Sequence, residues 1–580
     1  MKTTDNSIQI NLQEQLIYGY ESVGSHIIPP HYQPKEFTGD TLLWMLPCNP
    51  DSGKALCIQA DTYRVKRKRG AAEIRFHGAY SVQEFPPRPC CDFLGAAVSL
   101  QMAHGAQLEM AWARFYWEHL LPQMAERTYL REKMDIREGY VLSTLNKKAY
   151  AGTYPAVDHE FHIKGRLAVS GAAEQSLVRR MLELQFKIMR EDKKGISRSV
   201  CAIQPRGSRE YDVWRDSRDH SCRAQMFRIT ANIEIVEAVY AYYCRTKDID
   251  FLRANIAALE KSCACIERFI AADGLLESHV HYEDQVMKDG KVAQSQFLAV
   301  HSFRLMAQLE ALLTRAAQAA HYAACAERLG ETAVRAYPNG YWDAKEKRFL
   351  DWIDAKGAVH DHIHLLANAL PVLFGLADGE QKAGALATIA AHEDIFSKFP
   401  SYVAAKIEDY TEAEIGTGGP YDLCAAGRYW CWDAAFKAFL QDGAALEKQL
   451  LQVANQAEID GFRMGERYDM NYVYYNTGKD GERNWHGASD YYEYPNVFLY
   501  VLTAQYLGVR SGFDCDVVLA PLVQGDAAVT LENYSIAYEK KGTALTVKNI
   551  SGRFLSVDLP LHGKRILLQP GEESALTSSS

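Results

Sequence analysis

Two acidic segments stand far apart in the chain and share a similar local setting. Glu466 lies in Gly465-Glu466-Arg467-Tyr468-Asp469, nine residues ahead of a Tyr475-Asn476-Thr477-Gly478 turn. Asp284 ends Tyr282-Glu283-Asp284, which is 466 − 284 = 182 residues earlier. Each segment carries aromatic residues and joins predicted helices. Two such carboxyl groups are what hydrolysis of a glycosidic bond requires, because one protonates the leaving oxygen and the other activates water or attacks the sugar.

The two carboxyl groups are given different roles by their neighbours. Asp284 is the predicted general acid, because burial beside Tyr282 would raise its pKa, and Glu283 is the alternative. Glu466 is the predicted general base, because Arg467 beside it would favour the ionised form. Glu493, which also lies among tyrosines ahead of a predicted helix, is the rival of Glu466.

Further loops carry aromatic and charged residues at predicted helix ends. In residues 211–220, Asp216 or Asp219 can accept sugar hydroxyls and Trp214 can stack on a ring, although an Asp-rich helix cap is the alternative. The glycines of residues 416–419 allow close approach to a ligand, and the tryptophans that follow can equally pack in a core. The predicted sugar-binding residues are Trp214, Arg215, Asp216, Tyr282, Glu283, Tyr429, Trp430, Trp432, Trp485, His486 and Glu493.

Composition excludes several other classes of function. A net charge of −9 over 580 residues argues against nucleic acid as a partner. The basic run of residues 64–69 is instead predicted to be a solvated edge strand. No segment is long and apolar enough to span a bilayer, and the polar start Met1-Lys2-Thr3-Thr4-Asp5 predicts no signal peptide.

Thirteen cysteines are scattered along the chain, many of them in predicted helices. Scattered helical cysteines are typical of a reduced, cytoplasmic protein. The pairs Cys90-Cys91 and Cys263-Ala264-Cys265 lack the spacing of a zinc site, so the sequence predicts no metal and no cofactor.

The pattern of apolar residues divides the chain into three regions. Residues 1–89 are β-rich and end in the stiff connector Phe85-Pro86-Pro87-Arg88-Pro89. Residues 90–510 carry about a dozen helical stretches, and residues 511–580 return to short strands. A helical solenoid has the same periodicity as a barrel of α-hairpins, but the lack of a strict sequence repeat favours the closed barrel.

Four segments carry a family resemblance. Residues 214–219 are similar to the Trp-Arg-Asp-x-x-Gln-Asp sugar-holding motif of cellobiose-type phosphorylases, with Arg218 in place of Gln. Residues 282–284 stand where trehalase-like enzymes carry Gly-Trp-Asp with the general acid, but the Trp is absent. Residues 466–478 resemble the base-bearing Glu-x-Tyr segment of family 63 α-glucosidases, which ends in Thr-Gly. Residues 490–496 resemble the Gln-Trp-Asp-Tyr-Pro-Asn signature of trehalases, with Glu493 replacing Asp.

Over about residues 90–525 the chain thus resembles the six-hairpin, (α/α)6-barrel glycosidases, a group that also includes the α-L-rhamnosidases. The resemblance implies a mainly α fold, an (α/α)6 barrel with small N-terminal and C-terminal β regions. It also implies a loop-built pocket at one end of the barrel. Because residues 224–230 resemble the segment after the rhamnosidase acid motif, Asp219 becomes a second candidate for the acid.

The function implied is an exo-acting, inverting glycoside hydrolase that cleaves a terminal sugar of the α-glucoside or α-L-rhamnoside type. Three alternatives stay open: an inverting phosphorylase, a lyase of acidic sugars and a non-catalytic sugar-binding protein. The predicted partner is a carbohydrate, and the sequence indicates neither which sugar nor the oligomeric state.

Overall fold

Helices occupy the middle of the chain and strands its two ends, as the sequence predicts. The computed structural model describes residues 2–4, 6–11, 15–19, 36–47, 55–68, 70–85, 98–120, 123, 138–144, 152–169, 171–419, 423–468 and 489–577. The predicted turn at residues 475–478 and the predicted sugar contacts Trp485 and His486 lie outside these ranges. Among the described residues, no helix combines the length and apolar composition needed to cross a bilayer.

An antiparallel sheet forms the N-terminal region, with strand order β1-β2-β6-β5-β4-β3. Its strands are β1 Lys2–Thr4, β2 Ser7–Asn11, β3 Gln15–Gly19, β4 Glu36–Pro47, β5 Ala55–Lys68 and β6 Ala71–Phe85. Val65 and Ile74 are buried in its own apolar cluster. The prediction that the basic run is an edge strand is wrong, because β5 pairs with both β4 and β6. Arg64 and Lys66 nevertheless alternate with buried residues and are exposed.

The helical region contains helices of four to twenty residues. They are α1 Gly105–Phe115, α2 His159–Val169, α3 Ala172–Arg190, α4 Thr230–Thr246, α5 Ile249–Glu267, α6 Ala293–Leu312, α7 Ala316–Ala333, α8 Leu365–Leu373, α9 Gly379–Ala391, α10 Glu393–Phe396, α11 Gly427–Phe439, α12 Gly443–Ile459 and α13 Glu493–Tyr500. The apolar faces of these helices are buried, as Ile233 and Val236 show in α4 and Leu305 and Leu309 in α6.

Side-chain caps set several of the helix starts. Asp248 accepts a hydrogen bond from the Phe251 amide at the start of α5, and Asp442 accepts one from the Ala445 amide at the start of α12. Asp378 and Gln381 form a reciprocal capping box at the start of α9. These contacts satisfy amide groups that have no partner within their helix.

Among the described helices, six follow one another as packing neighbours. The pairs in contact are α2 with α4, α4 with α6, α6 with α8, α8 with α11, α11 with α13, and α13 with α2. The helices that intervene in sequence pack against members of this set, for example α7 on α6 and α9 on α8. The six neighbours all begin at loops that carry the charged residues considered below.

Short strands connect these helices. They are β8 Val213–Asp216, β9 Arg223–Met226, β10 Lys291–Val292, β11 Trp342–Asp343, β12 Arg348–Phe349, β13 Trp352–Ile353 and β14 Val359–His360. Strands β8 and β9 form an antiparallel hairpin. The polar segment of residues 211–220 is therefore largely a hairpin, so the helix-cap alternative is wrong.

The C-terminal region combines strands from both sides of the helices. They are β7 Val98–Gln101, β15 Val509–Arg510, β16 Val517–Leu519, β17 Ala527–Leu531, β18 Ile536–Lys541, β19 Ala544–Asn549, β20 Leu555–Leu559, β21 Lys564–Leu568 and β22 Glu573–Thr577. They make two sheets, in the orders β15-β16-β20-β21 and β22-β19-β18-β17-β7. Strand β7 precedes α1 in sequence but pairs antiparallel with β17.

Gly508 follows the last helical segment and has a left-handed φ of 69°. A Cβ atom at this position would lie 2.0 Å from the Ala520 carbonyl oxygen. We expect Gly508→Ala to lower the free energy of unfolding by about 1–2 kcal/mol for the left-handed backbone and by about 1–3 kcal/mol more for the clash.

Gly542 provides a matched control for this prediction. Its φ is 57°, but a Cβ atom there would meet nothing within 4 Å. Gly542→Ala should therefore show only the smaller, conformational loss in urea unfolding. Equal losses in the two variants would mean that the approach of Ala520 does not constrain Gly508.

Candidate functional site

Charged residues collect where the neighbouring helices begin. Asp158 precedes α2, Arg428 lies in the first turn of α11, and Glu493 opens α13. All three are buried, with side chains no more than 4% exposed. A Cβ atom on Gly427 would lie 2.8 Å from the Glu493 Cβ, so glycine is needed for this close approach of α11 and α13.

Arg428 is the centre of this cluster. Its backbone amide and Nε donate to the Glu493 carboxylate at 3.2 and 2.9 Å, and its Nη2 donates to the same group. Its Nη1 donates to the Tyr282 carbonyl at 3.1 Å and lies 3.3 Å from Asp158 Oδ1. Burial alone would raise the pKa of Glu493, but Arg428 and then Arg467 outweigh it and lower that pKa. Glu493 is therefore an ionised partner of two arginines.

Glu466 borders the same cluster, at longer distances from the two arginines than Glu493. Its Oε1 lies 3.6 Å from Arg467 Nη2 and 3.9 Å from Arg428 Nη2. Burial raises the pKa of Glu466 to about 7, and the charges of Glu493 and Asp284 add to the increase. Arg467 favours the ionised form of Glu466, as the sequence predicts, but loss of hydration outweighs the attraction of the arginines and the pKa is raised overall.

Asp284 comes to the same site from a different part of the chain. Its influence on the pKa of Glu466 places the two carboxyl groups within electrostatic reach of each other. The Asp284 side chain is 20% exposed, and its Oδ2 lies 3.8 Å from Nη2 of Arg215 on β8. The site thus combines the nearly buried carboxyl group of Glu466 with the partly exposed one of Asp284.

Backbone contacts join three of the segments that the sequence singled out. Gln285 accepts hydrogen bonds from the Gly416 amide through its carbonyl at 2.7 Å and from the Gly418 amide through its side chain at 2.9 Å. The Thr417 amide donates to the Asp216 carbonyl at 3.1 Å. The loop after Asp284, the glycine-rich loop and the β8–β9 hairpin therefore form one wall.

Glu283, the alternative acid, is engaged elsewhere. It is fully buried and accepts hydrogen bonds from Lys288, His364 and Gln294 at 2.5, 2.9 and 2.7 Å. Although burial acts to raise the pKa of Glu283, Lys288 and His364 hold it well below its usual range. A carboxylate paired in this way is a poor proton donor.

Asp219 lies at the exposed tip of the β8–β9 hairpin. Its Oδ1 accepts hydrogen bonds from the Ser221 amide and from the hydroxyls of Ser217 and Ser221, which lower the pKa of the carboxyl. Asp216 is also exposed, with Arg223 Nε at 3.6 Å. Neither residue has the burial that would favour a protonated acid at neutral pH.

Trp214 and Arg215 border an open groove of about 1030 Å³ on the hairpin side of the site. The Trp214 side chain is 48% exposed, which is unusual for so large an apolar ring. The remaining polar lining comes from residues such as Lys193, Lys194 and Glu210. Exposed aromatic and charged side chains are suited to contact a ring with hydroxyl groups.

Comparisons with solved structures identify the fold. No protein-family model and no curated protein matches the chain. A GH78 family rhamnosidase of Bacillus sp. GL1 is similar with a TM-score of 0.54 and 14% identity, over 96% of this chain and 53% of that one. An α-L-rhamnosidase from Dictyoglumus thermophilum is similar with a TM-score of 0.53 and 12% identity, over 99% and 63%. The chain has a six-hairpin glycosidase-type fold.

A structure named sialidase is similar as well, with a TM-score of 0.52 and 12% identity over 93% of this chain. The chain spans 53%, 63% and 52% of the lengths of these three proteins, so each of them has substantial further parts. The fold resemblance inferred from the sequence motifs is confirmed.

The six-hairpin fold buries most of the aromatic residues proposed to contact sugar. Tyr282, Tyr429 and Trp430 are completely buried, and Trp432 is 4% exposed. The Trp432 indole donates to the Tyr282 hydroxyl at 3.0 Å, and the Trp430 indole donates to Gln449 at 3.1 Å. These contacts favour the alternative in which the aromatic residues at the start of α11 pack in the core and do not contact sugar.

The sequence motifs did not reveal Asp158 as part of the buried charged cluster around Arg428. Burial raises its pKa to about 6, although Arg428 opposes the change. Asp158 lies in Pro155-Ala156-Val157-Asp158, where one acid among small apolar residues gives no signal. Only the meeting of α2 with α11 and α13 brings it to the cluster.

Proposed function

We propose that the chain is a glycoside hydrolase in which Asp284 protonates the leaving oxygen and Glu466 deprotonates a water molecule. The observation that carries the proposal is the nearly buried carboxyl group of Glu466, with its pKa of about 7, within electrostatic reach of Asp284. General base catalysis is most efficient when the pKa of the base is close to the working pH. The rhamnosidase-like fold supports a glycoside as the substrate.

The proposed scaffold is an (α/α)6 barrel. Helices α2, α4, α6, α8, α11 and α13 would be its inner ring, since each packs on the next and α13 packs on α2. The sequence-based boundaries, a barrel over residues 90–510 between β regions 1–89 and 511–580, remain a proposal. In this arrangement the loops ahead of the inner helices bring residues from distant parts of the chain to one pocket.

The buried arginines Arg428 and Arg467 would give the two candidate bases, Glu466 and Glu493, different protonation states. Arg428 and Arg467 hold Glu493 ionised, and its negative charge is paired with these two arginines. Glu466, with its pKa of about 7, would exchange a proton with water at neutral pH. Asp284 would gain a proton when bound sugar excludes water and separates it from Arg215, because burial raises a carboxyl pKa.

The proposed reaction inverts the anomeric carbon. A water molecule between Glu466 and the sugar requires carboxyl groups about 6.5–9.5 Å apart. Trp214 and Arg215 would contact the substrate in the open groove. A terminal α-L-rhamnoside or α-glucoside is the proposed substrate, cleaved from the end of an oligosaccharide or glycoside.

A panel of nitrophenyl glycosides, with the anomer of the first product followed by NMR, tests this function. We expect an inverted product and turnover independent of phosphate; a requirement for phosphate would identify a phosphorylase, and an unsaturated product a lyase. Asp284→Asn should abolish turnover of poor leaving groups, whereas the exposed Asp219→Asn should retain it. Absence of hydrolysis across a broad panel of glycosides would overturn the proposal.

The pH dependence of kcat/KM gives a separate prediction. Glu466 must be ionised to act as a base, and its pKa of about 7 means that it becomes protonated as the pH falls below that value. We therefore expect kcat/KM to fall about tenfold per pH unit below about pH 7. An acidic limb near 4.5, the ordinary value for a glutamate, would contradict the assignment.

A further inference from the structure

A group of metal-ligating side chains lies away from the candidate active site, between α5 and α7. Glu267 is the last residue of α5, and His321 and Cys325 are four residues apart on α7. Residues at this spacing share one face of a helix. One donor atom from each of the three side chains lies within 4.8 Å of the other two.

The distances among these atoms match the edges of a metal coordination shell. His321 Nε2 lies 3.1 and 3.2 Å from the two Glu267 oxygens and 3.7 Å from Cys325 Sγ. A tetrahedral zinc ion with ligand bonds of about 2.0–2.3 Å separates its nitrogen and oxygen ligands by about 3.3 Å, and its nitrogen and sulfur ligands by about 3.6 Å. The two edges that meet at His321 Nε2 therefore differ from those of a zinc shell by only about 0.2 Å.

The surroundings also favour a cation. The C-terminal end of α5, where Glu267 lies, carries the negative end of the helix dipole. Arg328 donates a hydrogen bond to Cys325 Sγ at 3.5 Å. Because its side chain is exposed, it can move into solvent when a cation binds.

We propose that Glu267, His321 and Cys325 bind one zinc ion, with water as the fourth ligand. Imidazole, thiolate and carboxylate are the ligands that zinc takes in proteins. His321 is 49% and Glu267 29% exposed, so water can reach the open position while Cys325 stays buried. On binding, the Cys325 thiol releases its proton to solvent, so binding weakens as the pH falls. The ion would tie α5 to α7 on the outside of the helical region.

Cobalt(II) titration of the metal-free full-length protein tests the site, because a thiolate ligand gives cobalt a charge-transfer absorption band. We expect one equivalent of cobalt to produce this band and zinc to remove it by competition. The band should be lost in Cys325→Ser and in His321→Ala and kept in Cys515→Ser, a buried cysteine in the C-terminal region. Circular dichroism of each variant checks that it is folded.

A second readout separates the zinc site from adventitious binding. Zinc should raise the Tm of the parent protein and of Cys515→Ser, and leave the Tm of His321→Ala unchanged, because only a site formed in the folded state stabilises the fold. A cobalt band that survives in Cys325→Ser, or one that is lost there but survives in His321→Ala, would overturn the three-residue site. So would the absence of any band in the parent protein.

Discussion

Replacing Glu466 with Gln is expected to lower kcat by about 10²–10⁴-fold, the usual contribution of a general base. The amide has the same shape but cannot take a proton from water, while the side chains proposed to hold the sugar are unchanged. Steady-state kinetics with calorimetric titration of the product sugar would separate the two effects. We expect the affinity for the product to change less than about tenfold.

The stability of this variant supplies an independent check. The pKa of Glu466 is raised in the folded state from 4.5 to about 7, so the side chain favours folding when protonated, below about pH 4.5. That contribution is lost as the pH rises through 7, since the buried carboxylate must then be charged. The shift corresponds to about 3 kcal/mol. Glu466→Gln should therefore be more stable than the parent protein at pH 8 and similar to it at pH 4.

Glu458→Gln is the matched control. It is the same change from Glu to Gln, but at an exposed position of α12. It should change neither kcat nor the pH dependence of stability. If Glu466→Gln kept the turnover of the parent protein, Glu466 would not be the base. If it lost turnover together with stability at pH 8, a structural role would explain the result better.

Replacing Arg428 with Met is expected to have the largest effect on folding. The side chain is 3% exposed and neutralises Glu493 and Asp158 in the interior. Removing one partner of a buried ion pair leaves an uncompensated charge, which costs about 3–5 kcal/mol. We expect a corresponding decrease in the urea midpoint at pH 7, and a smaller decrease at pH 5, where Asp158 is protonated.

Two further variants make this prediction specific. Arg218→Met breaks an ion pair between exposed side chains, Arg218 and Glu412 at 3.2 Å, and should cost less than about 1 kcal/mol. Combining Arg428→Met with Glu493→Gln should restore part of the loss, because the second change removes one of the unpaired charges. Equal losses for Arg428→Met and Arg218→Met would contradict the central role of the buried arginine.

The spacing of apolar residues predicted the helices and strands well, because secondary structure depends largely on residues that are close in sequence. The apolar residues of α6 recur every three or four positions, and the short strands predicted for residues 511–580 are observed. The sequence did not predict strand β7, because it has only four residues and pairs with β17, which is distant in sequence. Position in a sheet, as for the central strand β5, is likewise decided by distant segments.

The candidate site was predicted only in part, for a similar reason. Mixed aromatic and charged composition located the loops of Asp284 and Glu466, but not which side chains face a pocket. Trp430 lies on a helix buried on almost every side, where an aromatic residue in the core and one in a binding site have the same pattern. The pKa of Glu466 depends on burial, which its sequence neighbour Arg467 does not reveal.

The pairing of β7 with β17 has a consequence for biosynthesis. Val98 of β7 pairs with Leu531 of β17, which is 531 − 98 = 433 residues later in the chain. Most of the polypeptide must therefore be synthesised before β7 can pair with β17. Until then its amide and carbonyl groups form an open edge, which invites pairing with other chains. Shortening the gene from its 3′ end would make that exposure permanent, and we would expect the truncated product to aggregate even if every helix were intact.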